Sequence, residues 1–110
     1  MFYVYRLLDK NKKVLYVNST TDIGIMTFHL ERKGYLSEYQ YREMDKIEFL
    51  ECLSLEDMYD LEEYLINLWK PPYNTPTEKS SIYVDLDKLI WQDFSDKEKK
   101  RIIHYFKKAE

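Results

Sequence analysis

The sequence predicts an α+β fold, with a small three-stranded antiparallel sheet flanked by helices in the order β-β-α-β-α and one further helix at the C-terminus. Short runs rich in β-branched and aromatic residues occur at the start of the chain and again near its middle. Apolar residues at helical spacing follow capping residues in two later stretches. With 110 residues, the chain is long enough to bury a core of its own.

Three stretches of the chain have the composition of strands. Residues 2–8 (FYVYRLL) and 14–18 (VLYVN) are separated by the turn-type cluster DKNKK, which predicts an antiparallel hairpin. Residues 45–53 (DKIEFLECL) predict the third strand, and residues 82–86 (IYVDL) predict a short strand or an extended arm. The chain between the second and third strands holds the first predicted helix and a polar, aromatic connection with a helical turn.

The first predicted helix begins at Asp22, which is a favourable N-cap residue. Its apolar residues Ile23, Met26 and Leu30 recur at helical spacing. We expect this helix to end near Gly34, because glycine is the preferred C-terminal cap.

Two further helices are predicted by their capping residues. Ser54 opens the capping box SLED, and the helix that follows carries a broad apolar stripe until Pro71. Ser95 caps a last helix that runs to about Lys108. We therefore divide the chain into a domain over residues 1–75 and a C-terminal extension over residues 76–110, which is expected to pack on the same domain.

Charge is distributed unevenly along the chain, whose net charge is −3. Residues 48–63 contain seven acidic residues and no basic one, whereas residues 95–110 contain six basic and three acidic residues. An acidic block differs from the basic face that a nucleic-acid-binding protein presents. It is either a solvated helix face or an acidic surface that docks on a basic protein or imitates DNA.

The remaining bulk features favour a cytoplasmic globular protein. Cys52 is the single cysteine, so it cannot form an internal disulfide, and its apolar neighbours indicate a small buried side chain. No apolar run is long enough to span a membrane, and the N-terminus lacks a signal-peptide pattern.

Several motifs occur in a fixed order along residues 2–75. The tripeptide YVY ends at Tyr5 on the first strand, and YVN begins at Tyr16 on the second. A Thr-Asp pair opens the helix that carries His29, and Glu62 precedes the pairs Leu-Ile, Lys-Pro and Tyr-Asn. This order resembles the GIY-YIG nuclease domain, and the closing Glu, Leu-Ile, Lys-Pro and Tyr-Asn series is fairly specific to it.

The resemblance implies metal-assisted phosphodiester hydrolysis. In an active member Glu62 would hold one divalent cation, Mg²⁺ or Mn²⁺, which polarises the phosphoryl oxygen and the leaving group. Tyr5 or Tyr16 would act as the general base or orient the water, and His29 would belong to the same catalytic set. An arginine on the first helix would meet the charge that develops on the phosphate.

The chain departs from that family pattern at three positions. Tyr3 replaces the first glycine of GIY, and Asn18 replaces the glycine of YIG. Asparagine tolerates a left-handed backbone, so we expect Asn18 to keep the bend while narrowing the site. The helix arginine should fall at Ile25 or Met26, and no Lys or Arg occurs between residues 14 and 31.

These departures favour a catalytically degenerate domain that acts by binding. Its partner is expected to be a protein, and a phage or mobile-element product that blocks a host nucleic-acid-handling or defence protein would fit this character. The residues expected to form the binding surface are Asn18, Ile23, Ile25, Met26, Phe28 and Asn74.

Three alternatives remain open from the sequence. A weak metal-dependent DNA endonuclease would use Tyr5, Tyr16 and Glu62. A DNA-binding module without cleavage would reach the DNA backbone through the basic C-terminal residues. The apolar face of the C-terminal helix could also form a homodimer.

Overall fold

A computed structural model describes residues 1–76 and 84–94 of the chain. The elements in chain order are β1 (Phe2–Leu8), β2 (Val14–Thr20), α1 (Gly24–Leu30), α2 (Glu38–Glu43), β3 (Lys46–Cys52), α3 (Leu55–Trp69) and β4 (Gln92–Phe94). A single turn of 3₁₀ helix over Leu86–Lys88 precedes β4.

The four strands form one antiparallel sheet in the order β2-β1-β3-β4. At the centre of the sheet, Tyr5 on β1 lies opposite Asn18 on β2 and opposite Phe49 on β3. The predicted α+β class and antiparallel sheet are confirmed, with β4 as a fourth strand. A strand of three residues is too short for its periodicity to be read from the sequence.

Helices cover both faces of the sheet. Successive side chains of β1 point to opposite sides, so apolar residues of this strand lie on both faces. Val4 belongs to a core in which the buried residues of α3, such as Leu65, pack against the sheet. Tyr5 and Leu7 belong to a second core that includes Met26 of α1. The chain therefore has two apolar cores separated by the sheet.

Helix α1 ends earlier than the sequence predicts. It stops at Leu30, and the backbone amide of Lys33 then donates to the Phe28 carbonyl while that of Arg32 donates to the His29 carbonyl. This is the Schellman arrangement, and Arg32 holds its left-handed position at a φ of 59°. Gly34, predicted as the cap, lies in the following loop and has a φ of 74°.

The other helix boundaries agree with their capping residues. Ser37 and Gln40 form a reciprocal capping box at the start of α2, where the sequence predicts a helical turn. The Ser54 side chain accepts a hydrogen bond from the Asp57 amide at the start of α3. Helix α3 ends at Trp69, and its C-cap residue Lys70, directly before Pro71, has a left-handed φ of 45°.

The described part of the C-terminal extension packs mainly on the α3 side of the sheet, whereas Phe94 of β4 belongs to the core around Tyr5. Val84, Leu89 and Trp91 contact the core beneath α3. The predicted strand over residues 82–86 is described only from Val84 onward, and that part is not a strand. The predicted helix from Ser95 to Lys108 lies outside the described residues. Among the described helices, none is long and apolar enough to cross a membrane.

Candidate functional site

A buried chain of hydrogen bonds connects β1, α1 and α2. The Tyr5 hydroxyl lies 2.8 Å from Nε2 of His29, and Nδ1 of the same ring lies 3.0 Å from the Tyr41 hydroxyl. Tyr41 in turn donates to the carbonyl oxygen of Gly34. The side chains of Tyr5, His29 and Tyr41 are fully buried.

This chain of bonds fixes the tautomer of His29. Because Tyr41 has one proton and donates it to Gly34, Nδ1 of His29 must be the donor to the Tyr41 oxygen. Nε2 of a neutral ring is then an acceptor, and Tyr5 donates to it. Burial lowers the pKa of His29 to about 4, so the neutral form assumed here is the stable one at pH 7.

Tyr16 and Asn18 extend the cluster along β2. The Tyr16 ring lies 5.9 Å from that of His29 and 6.4 Å from that of Tyr5, measured between ring centroids. The Asn18 side-chain amide donates to the Tyr16 hydroxyl at 3.0 Å. Burial raises the pKa values of both tyrosines, and a hydrogen bond from Asn18 opposes each rise. Both hydroxyls therefore stay protonated near neutral pH.

Glu62, the remaining predicted catalytic residue, lies on α3 and interacts with Ser19 of β2. Burial raises the pKa of its carboxyl group, while hydrogen bonds from the side chain and backbone of Ser19 lower it. The Glu62 charge also contributes to the raised pKa of Tyr16. Of the four predicted catalytic residues, Tyr5, Tyr16 and His29 lie in one cluster, whereas Glu62 is carried by α3, which packs on the other face of the sheet.

Glu62 could supply one carboxylate ligand to a divalent cation. No group of three or more His, Cys, Asp and Glu side chains in the described ranges is placed to hold a metal ion. A cage of that kind is not required for Mg²⁺, which keeps several waters and is often held by one or two carboxylates together with substrate phosphate. Glu62 is thus the carboxylate that would hold such a cation, with water and substrate phosphate supplying the other ligands.

The two positions at which the helix arginine was expected hold apolar residues that pack in the core. Met26 is fully buried in the apolar cluster that contains Tyr5 and Leu7, and Ile25 is partly buried against the same cluster. Arg6, the basic residue of β1, lies among side chains of the opposite face of the sheet. Its guanidinium carbon is 4.1 Å from the centre of the Trp91 ring.

The residues predicted to form a binding surface are placed in different environments. Ile23 and Phe28 are exposed on α1, at 38% and 45% of their surface, whereas Met26 faces the core. Asn18 lies within β2 and is not among the residues with positive φ, so the expected left-handed bend is wrong. The Asn74 side chain forms hydrogen bonds with both the N–H and the carbonyl of Val17. It therefore connects the segment that follows α3 to β2.

Two members of the cluster were not identified from the sequence. Tyr41 and Tyr35 lie near His29 in space, and the Tyr35 ring centroid is 5.2 Å from that of His29. Eleven tyrosines are distributed along the chain, and no spacing distinguishes these two from the others. The Ser37 capping box was the available signal, because it starts the helix that carries Tyr41.

Comparison with known proteins supports the fold. No protein-family model and no curated protein matches the chain. The crystal structure of the GIY-YIG N-terminal endonuclease domain of UvrC from Thermotoga maritima, bound to its catalytic divalent cation, superposes with a TM-score of 0.55. The alignment covers 67% of this chain and 82% of that one at 20% identity. The chain therefore has a GIY-YIG-like fold.

Proposed function

We propose that this chain is a catalytically inactive GIY-YIG-like domain that acts by binding another protein. In its most specific form, the proposal is that a phage or mobile element uses the chain to inhibit a host protein that handles nucleic acid or serves in defence. The observation that carries the loss of catalysis is the buried Met26 at a position expected for the helix arginine. A fully buried methionine on the core side of α1 leaves no room there for a cation facing a phosphate.

The size of that loss argues against efficient catalysis. In comparable phosphoryl-transfer sites, one arginine that faces the phosphate accelerates the reaction by about 10³- to 10⁵-fold. Arg6 is a poor replacement, because it is bonded to Glu48 and stacked on Trp91 beneath α3. The acidic block over residues 48–63 also repels a polyanion such as DNA.

A second candidate function is metal-dependent cleavage of DNA. It is favoured by the cluster of Tyr5, Tyr16 and His29 and by the electrostatic interaction of Glu62 with Tyr16. In that reading Glu62 would bind Mg²⁺ or Mn²⁺, which supplies Lewis acidity at the phosphate when bound. Tyr5 and Tyr16 would orient the attacking water, and His29 would hold Tyr5 in place by accepting its hydrogen bond at Nε2.

A cleavage assay separates the two functions. The full chain would be incubated with supercoiled, linear, branched and single-stranded DNA in the presence of Mg²⁺ or Mn²⁺, beside Glu62→Ala and the neighbouring control Glu63→Ala. We expect no cleavage by any of the three proteins. Cleavage by the wild type and by Glu63→Ala, but not by Glu62→Ala, would instead establish the endonuclease.

DNA binding without cleavage is a separate outcome of the same assay. Retention of labelled DNA by the full chain at low salt, with loss at high salt, would point to a DNA-binding module that uses its basic C-terminal residues. We expect no such retention, because the described surface carries the acidic block of α3.

A further inference from the structure

An open groove of about 510 Å³ lies at the end of the molecule where β3 passes into α3, and residues 84–92 form its opposite wall. A volume of this size accommodates several side chains. Most of the groove is apolar, and its apolar lining residues are Leu50, Cys52, Leu53, Leu61, Val84, Leu89 and Ile90. The groove is separate from the cluster around His29, which lies on the other face of the sheet.

The rim of the groove exposes large aliphatic side chains. Leu53 is 95% exposed and Ile90 is 81% exposed. A single exposed aliphatic residue is ordinary on a protein surface, but these two flank an apolar groove. Within the described ranges, β4 covers only Ile47–Phe49 of β3, so the edge of β3 beyond Phe49 faces the groove.

Acidic side chains complete the lining. Glu51, Asp57 and Asp60 line the groove, and Lys88 is the basic residue among the lining residues. In the part of the chain that the structure describes, none of these three carboxylates forms a salt bridge. The pKa of the Cys52 thiol in the groove is raised by burial and then by the negative charges of Asp57 and Glu51. The charge of these two carboxylates therefore acts inside the groove.

We infer that this groove docks a peptide segment of the partner protein that combines aliphatic side chains with Lys or Arg. The inference rests on the proposed binding function and gives that function a surface. Aliphatic side chains would fill the apolar floor and cover Leu53 and Ile90, while cationic ones would pair with Glu51, Asp57 and Asp60. Proteins that hold nucleic acid expose basic segments of this kind, which is consistent with a partner that handles nucleic acid.

The probe for the test is a fluorescent synthetic peptide of alternating leucine and lysine, with a leucine–glutamate peptide as its counterpart. The full chain would be titrated into each peptide, and affinity would be read from fluorescence anisotropy. The groove variant is Asp57→Asn with Asp60→Asn. The matched control is Glu56→Gln with Glu63→Gln, which removes two α3 charges outside the groove lining. Each double variant changes one acidic residue of the first turn of α3, Asp57 in the groove variant and Glu56 in the control.

We expect the leucine–lysine peptide to bind and the groove variant to weaken that binding about tenfold, against less than about twofold for the control. Bound peptide should also slow alkylation of Cys52, the single cysteine of the chain, because this residue lines the groove. Equal affinity for the two peptides, or equal affinity of the groove variant and the wild type, would overturn the inference.

Two other occupants give distinct results that also overturn it. If a second copy of the chain fills the groove, protection of Cys52 will rise with protein concentration in the absence of peptide. If residues 95–110 fill it, Cys52 will be protected at every concentration and released by the substitutions Lys99→Gln, Lys100→Gln and Arg101→Gln. Neither readout depends on DNA cleavage, so failure of this inference is distinguishable from failure of the proposed function.

Discussion

The Tyr5 hydroxyl donates a hydrogen bond of 2.8 Å to Nε2 of His29, and both side chains are fully buried between β1 and α1. The pair is held neutral from both sides, since burial raises the pKa of Tyr5 and lowers that of His29. A charged imidazolium would have a donor at Nε2, so it could no longer accept the hydrogen bond of Tyr5, and its charge would be buried. The pair therefore links the stability of the fold to pH.

Acidification should destabilise the fold through His29. Its pKa is about 4 in the folded chain and 6.5 in the unfolded chain, so the unfolded state binds a proton first as the pH falls. The stabilisation is complete above pH 6.5 and is lost progressively down to about pH 4. Because one pKa unit corresponds to about 1.4 kcal/mol, the loss from this group between pH 6.5 and about 4 amounts to at most about 3.5 kcal/mol. Urea denaturation at several pH values would measure it.

His29→Gln is the control for that pH dependence, because glutamine is polar but does not titrate. The variant should be less stable than the wild type at pH 7, and its stability should fall less steeply between pH 6.5 and 4. Equal slopes in the two proteins would show that other groups carry the acid sensitivity.

Restoring the motif glycine at Asn18 should destabilise the protein. Asn18 lies in β2 with no positive φ, so glycine relieves no backbone strain there. The change removes the hydrogen bond to Tyr16 and adds the entropic cost of glycine in a strand, together about 1–2 kcal/mol. Denaturation of Asn18→Gly and Asn18→Ala would separate the two effects, with the alanine variant expected to be the more stable. A glycine variant more stable than the wild type would reveal strain at this position.

Asn74→Asp should weaken the connection between the end of α3 and β2. The Asn74 amide accepts from the Val17 N–H and donates to the Val17 carbonyl, each at 2.8 Å. Aspartate keeps the first bond but places a carboxylate oxygen against the carbonyl, which costs about 1–3 kcal/mol. Thermal denaturation would measure the change, with Asn11→Asp in the exposed hairpin turn as the control. A melting temperature lowered equally in both variants would contradict the assigned role of Asn74.

The sequence predicts the fold best where a local pattern coincides with the tertiary environment. The cap at Ser54 and the strand over residues 45–53 are determined by residues close together in the sequence. The structure has this cap and a strand over Lys46–Cys52. Arg32 was missed as the end of α1 because arginine has no special preference for a left-handed backbone, whereas Gly34 does.

The candidate site was predictable only as far as the motif extends. The family pattern marks Tyr5, Tyr16, His29 and Glu62, and the structure brings the first three of them into contact. Tyr41 was missed because its bond to His29 depends on how α2 packs against α1, and twelve residues separate the two in sequence. The side of α1 on which Met26 lies is likewise a property of packing.

Arg6→Lys should destabilise the fold even though it preserves the charge. The Arg6 guanidinium donates to one oxygen of Glu48 through both Nε and Nη2, and its carbon lies 4.1 Å from the centre of the Trp91 ring. Lysine cannot combine a planar stack with two donors, so we expect a loss of about 1–2 kcal/mol in the free energy of unfolding. Tryptophan fluorescence during urea denaturation would measure it.

Arg42→Lys is the matched control, because Arg42 is exposed and its contact with Glu38 is 3.8 Å long. This substitution should change the free energy of unfolding by less than about 0.5 kcal/mol. Equal stability of the two variants would show that the stack of Arg6 on Trp91 contributes nothing measurable to the stability of the fold.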